Sequence, residues 1–97
     1  MKKYLIELTD DYNNELDFIK NNYQEDVSWV ETTIYEVSQL GYKFRTHPNV
    51  KNEKGNIFVL KKKGKQFRAY FKLINNTLTF THCVMKKTQK ANPKYLK

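Results

Sequence analysis

The stretch Phe67-Arg68-Ala69-Tyr70-Phe71-Lys72-Leu73-Ile74-Asn75-Asn76-Thr77-Leu78-Thr79-Phe80-Thr81-His82-Cys83-Val84 decides the fold. Two runs rich in aromatic and β-branched residues flank Asn75-Asn76, a pair suited to a two-residue hairpin turn. Opposing Ile74 and Thr77 across that turn sets a register in which Leu73 meets Leu78, Phe71 meets Phe80 and Ala69 meets His82. Side chains alternate along a strand, so Ala69, Phe71, Leu73, Leu78 and Phe80 share a face that should cover helices. The other face carries Gln66, Arg68, Tyr70, Lys72, Thr77, Thr79 and Thr81. It has many hydrogen-bonding groups and few apolar ones, which predicts the floor of an open groove.

Upstream of the hairpin, Ile57-Phe58-Val59-Leu60 reads as a further strand, followed by a turn region over 61–65. Residues 42–56 lose periodicity and gain Pro48, Gly55 and the cations Lys43, Arg45, Lys51 and Lys54, so they read as a partly structured connection. At the start of the chain, residues 4–8 form a first strand with Tyr4, Ile6 and Leu8 on one side. Asp10 or Asp11 can cap a helix whose stripe is Tyr12, Leu16, Ile19 and Tyr23. A second helix can begin at Asp26 or Ser28, the latter at capping-box spacing from Glu31. Its stripe of Val27, Val30, Ile34 and Val37 should lie on the sheet, and Gly41, after Leu40, suits the position just past a helix end. The expected fold is one α+β domain over 1–97, with two N-terminal-half helices on one face of a small antiparallel or mixed sheet.

The net charge of +8 is unevenly spread. Residues 1–40 hold three Lys/Arg against nine Asp/Glu, while residues 41–97 hold fifteen against one. Such a split favours a polyanion on the second half, because clustered cations concentrate phosphates and release counterions on binding. An acidic protein partner, or a merely solvated cationic face, would read the same way. The single cysteine, Cys83, cannot close an internal disulfide, and no stretch approaches the apolar length of a membrane helix. A cytoplasmic location is the expectation. No Walker motif, dinucleotide loop, HExxH, CxxC or calcium loop is present, which leaves metal and cofactor chemistry without support in the sequence.

Leu40-Gly41, Phe44-Arg45, Pro48, Val50-Lys51, Ile57-Phe58-Val59-Leu60-Lys61, Phe67-Arg68-Ala69-Tyr70-Phe71 and His82-Cys83-Val84-Met85-Lys86-Lys87-Thr88-Gln89-Lys90 carry a resemblance. In order and spacing they resemble the phage-derived, Gp49-like branch of the RelE/HigB toxins, over roughly residues 35–92. The resemblance implies a RelE-like fold and the toxin of a type II toxin–antitoxin pair. It further implies a ribosome-dependent mRNA endoribonuclease, neutralised by a helix-turn-helix, HigA-like antitoxin. Cleavage in that family is metal-independent attack of a ribose 2′-hydroxyl on the adjacent phosphodiester. The chain departs from the family where Val59-Leu60-Lys61 replaces a Glu-Leu-Arg run, and where Cys83-Val84 replaces a glycine and an aromatic. A non-catalytic member of the same fold, binding RNA, the ribosome or an acidic protein, is the alternative. A phage accessory protein whose basic groove only receives an antitoxin-like chain is a third reading.

The chemistry requires one group to take the 2′ proton, one to protonate the departing 5′ oxygen, and fixed positive charge around the transition state. Arg68 is expected to clamp the phosphate with its planar fork, and Lys86 and Lys87 to place ammonium groups beside it. His82 and His47 are the candidates for proton transfer. For His82 two placements stay open: turned outward by a bulge near Thr81, or held as a core or edge histidine by a structural hydrogen bond. Arg45, Lys51, Lys54, Lys61, Lys62, Lys63, Lys65 and Lys90 are expected to hold or steer the RNA backbone, and Tyr95 to stack on a codon base. Tyr70 is open between stacking on a base, donating its hydroxyl, and filling a surface niche of its strand.

Overall fold

The computed structural model describes residues 2–86. The predicted hairpin forms β4 (Phe67–Ile74) and β5 (Thr77–Met85), and both turn residues sit at positive φ, Asn75 at 47° and Asn76 at 63°. The register runs as expected through Leu73 with Leu78 and Phe71 with Phe80, then shifts between Tyr70 and Phe71. Beyond that point Tyr70 faces His82 and Ala69 faces Cys83, not His82. Thr81 is the extra residue of a bulge, which moves every later side chain of β5 to the opposite face. Cys83 thereby joins the core.

The sheet has five strands in the order β1-β5-β4-β3-β2, where β1 is Leu5–Leu8, β2 Val50–Lys54 and β3 Ile57–Leu60. β1 runs parallel to β5 and the other pairs are antiparallel, so the sheet is mixed. β2 was not expected: only its first residue, Val50, is buried, and a bulge between Asn52 and Lys54 breaks its alternation. A 3-10 helix over Gly41–Thr46 replaces the rest of the expected connection.

α1 (Asp10–Lys20) is capped by Thr9, whose hydroxyl accepts the Tyr12 N–H, and not by Asp10 or Asp11, which occupy the first turn. The same hydroxyl reaches the Phe80 and Thr81 carbonyls, so the cap also pins the helix to β5. α2 (Gln24–Gln39) begins before Asp26, leaving Ser28 exposed inside the helix with no capping role. The expected stripe Val27, Val30, Ile34 and Val37 is buried, and Gly41 follows the helix at φ 56°. Between helices and sheet lies a run of rings: Tyr12 meets Phe80 at 5.8 Å, Phe80 meets Phe71 at 4.8 Å, Phe71 meets Phe58 at 5.5 Å and Phe58 meets Phe44 at 5.1 Å. Rings at these separations add to the apolar burial that holds the two layers together.

Candidate phosphate-binding site

Strand alternation puts Phe67, Ala69 and Phe71 against the helices and turns Arg68 and Tyr70 to the opposite face. That face is not the open polar floor expected from the sequence. Ile57, Val59 and Tyr70 form a second buried apolar cluster there, with Val84 packed against it, and Thr79 is also buried. The β-branched residues of β3 supply this grease, which the hairpin alone does not reveal. Tyr70 is 1% exposed, so its ring is not presented to a base.

At the end of this face β2, β3 and β4 enclose a pocket of about 440 Å³, lined by Pro48, Asn49, Lys51, Lys61, Lys62, Lys63 and Arg68. Arg68 is only 5% exposed, and its Nη1 donates to the Lys65 carbonyl at 3.1 Å. Lys86 follows β5 and is held by a bond from its N–H to the Gln66 carbonyl at 2.8 Å. Its ammonium nitrogen has no solvent contact and no hydrogen-bond partner among the described residues. Loss of hydration, with repulsion from Arg68 and Lys61, holds it below the ordinary lysine value, and Glu53 partly opposes the shift.

Glu53 is the residue the sequence reading missed. It is the sole acid of residues 41–97, and it pairs with Lys61 at 3.5 Å. A carboxylate within fifteen cations is the signal that could have found it.

Not every expected residue gathers here. Lys65 turns to the helix side, where it pairs with Asp26 at 3.5 Å. Arg45 lies over the rings of Phe58 and Phe44, at 4.8 and 5.6 Å, on the helix side of the sheet. Lys54 is exposed at the β2–β3 turn. His82 is both bulge-shifted and tied down: its Nδ1 lies 3.2 Å from Glu15 Oε1, an oxygen that also accepts the Cys83 N–H at 3.2 Å. His47 is bound to Glu36 and Asn49. Lys87, Lys90 and Tyr95 lie outside the described residues.

The arrangement suits a phosphate. An arginine fork and an unpartnered ammonium are already stripped of water, and the surrounding lysines raise the local positive potential. Holding such like charges together is unfavourable until an anion joins them.

No family model and no curated protein matches the chain. Among solved structures, it is similar in fold to a chain of the toxin–antitoxin complex RelBE2 from Mycobacterium tuberculosis. The TM-score is 0.56 at 12% sequence identity, and the match covers 91% of this chain and 97% of that one. Two helices on a five-stranded mixed sheet are thus a RelE-like fold.

Proposed function

We propose that this protein is the toxin of a toxin–antitoxin pair, an endoribonuclease that cleaves mRNA on the ribosome. The supporting observation is the placement of Arg68 and Lys86, two cations removed from solvent beside a lysine-lined pocket. The RelE-like fold and the charge split agree with it. In this reading Arg68 grips two non-bridging oxygens of the scissile phosphate, and Lys51, Lys61, Lys62 and Lys63 hold the flanking backbone. The 2′ oxygen bonds to phosphorus as the bond from phosphorus to the 5′ oxygen breaks, leaving a cyclic phosphate and a free 5′-hydroxyl.

In this reading Lys86, whose pKa is held below the ordinary lysine value, delivers a proton to the departing 5′ oxygen. Glu53, beside Lys61, is the carboxylate available to accept the 2′ proton. The partner that restrains the activity would be a helix-turn-helix, HigA-like antitoxin, the branch that of the phage-derived Gp49-like toxins, and the place of action the cytoplasm, where ribosomes translate. The test is transcript cleavage on translating ribosomes by wild type, Arg68→Ala and Arg68→Lys. Cleavage by wild type, with at least a tenfold loss in both variants, is expected from removing a charge-assisted, two-pronged contact. Intact transcripts with wild type reject the enzyme, and equal cleavage by all three rejects the role of Arg68.

One observation favours a second reading, in which the same pocket binds RNA without cutting it. Both histidines of the described residues are engaged with carboxylates on the helices. Salt-sensitive ribosome binding without cleaved ends would support that version.

A further inference from the structure

The turn between the 3-10 helix and β2 is organised around His47. Its N–H donates to the Phe44 carbonyl at 3.3 Å, and its own carbonyl accepts the Val50 N–H at 3.1 Å. Both ring nitrogens are also used. Nδ1 accepts the Asn49 N–H at 3.1 Å, and Nε2 lies 3.1 Å from Glu36 Oε1 on α2. A backbone N–H can only donate, so Nδ1 must be the acceptor and the neutral ring carries its proton on Nε2, facing the carboxylate. Asn49 passes the constraint onward, because its carbonyl accepts the Lys61 N–H at 2.9 Å. Glu36, His47, Asn49 and Lys61 therefore form an unbroken path from α2 to the cationic pocket, whose wall includes Pro48, Asn49 and Lys61.

We propose that His47 is a positioning residue that fixes the Pro48-Asn49 wall and the start of the lysine run, so that Lys51 and Lys61 converge on one bound anion. What the pocket holds rests on the phosphate reading given above; the hydrogen-bonded path does not. The His47 side chain is 12% exposed and its polar atoms serve the protein, so it acts through Asn49 and Lys61 without touching substrate. This role differs from the proton transfer expected of it from the sequence.

Two substitutions separate the ends of the path. In His47→Asn the amide oxygen takes the place of Nδ1 and can accept the N–H two residues on, the geometry of an Asx-turn. In His47→Gln the longer amide can still reach Glu36 but not that N–H. His47→Ala removes both links. The measurements are affinity for a short single-stranded RNA and amide hydrogen exchange at Asn49 and Lys61. With His47→Ala and His47→Gln, RNA binding should weaken about fivefold, and both amides should exchange faster. His47→Asn should stay within about twofold of wild type in both measurements. The proposal is overturned if all three variants bind RNA weakly while exchange stays at the wild-type rate, since the ring would then be touching RNA. It is equally overturned if His47→Asn exchanges as fast as His47→Gln. Wild type that binds no RNA rejects the phosphate reading alone, and the exchange rates still decide what His47 does.

Discussion

At the scale of single residues, the most consequential group is the Lys86 ammonium, which has no solvent contact and no partner among the described residues. A cation in that state destabilises the fold that holds it, and an apolar side chain of similar length should do better. Lys86→Met is expected to gain about 1 kcal/mol in urea unfolding while losing RNA cleavage. The pH dependence follows from the direction of the shift. The folded value lies below the ordinary 10.5, so in the interval between them the unfolded chain binds more protons and wild-type stability rises with pH. The advantage of Lys86→Met should therefore be largest below the folded value and shrink as pH climbs toward 10.5. A gap that stays constant across that interval would show that Lys86 keeps its ordinary ionisation in the folded protein.

At the scale of elements, the bulge in β5 governs where the site residues point. The hairpin turn and its first pairs were legible because Asn75-Asn76 and the facing Phe71 and Phe80 admit one register. A bulge near Thr81 was one of the two placements open for His82, and the register bears the bulge out. Thr81 fits either face of a strand equally well, so the sequence alone did not choose between them. The cause of the bulge is tertiary: β1 stops at Leu8, and past Phe80 the outer edge of β5 meets α1, where Glu15 accepts the Cys83 N–H. The helix stripes were readable from spacing, but the cap at Thr9 was hidden by two aspartates that are better caps in isolation. β2 was hidden because an edge strand burying one side chain has little hydrophobic period to read. Glu15→Ala leaves the Cys83 N–H without its acceptor and should cost about 1–3 kcal/mol. Glu15→Gln, which keeps an acceptor oxygen, should cost less than half as much. Equal unfolding midpoints for the two variants would show that the carboxylate's charge matters and its hydrogen bond does not.

At the scale of the whole molecule, the charge split becomes a spatial one only in part. The pocket gathers Lys51, Lys61, Lys62, Lys63 and Arg68, while Lys65 and Arg45 are drawn back to the helix layer by Asp26 and by aromatic rings. In the proposed reading the number of cations that meet RNA is thus smaller than the sequence count, and salt dependence should report it. Replacing Lys61 and Lys63 together by Ala should reduce the slope of log affinity against log salt by about 0.7 for each lost phosphate contact. Replacing Lys65 and Arg45 should leave the slope nearly unchanged. A larger drop for the second pair would move the interface to the other side of the sheet. The fold was legible from the sequence because apolar periodicity is a local signal. The site was legible only in outline, since which lysines converge depends on ion pairs between residues far apart in the chain.

Burial and the nearby Glu15 carboxylate push the thiol of Cys83 up to about 12, and its Sγ is directed at the Tyr12 carbonyl in α1. Near neutral pH the reactive thiolate is a small minority of the folded protein. Alkylating reagents should therefore modify the folded protein at the rate at which α1 lifts from β5, giving the molecule an intrinsic chemical clock for that opening. Labelling of native protein as fast as in denaturant would show that the two elements are not closed on each other in solution.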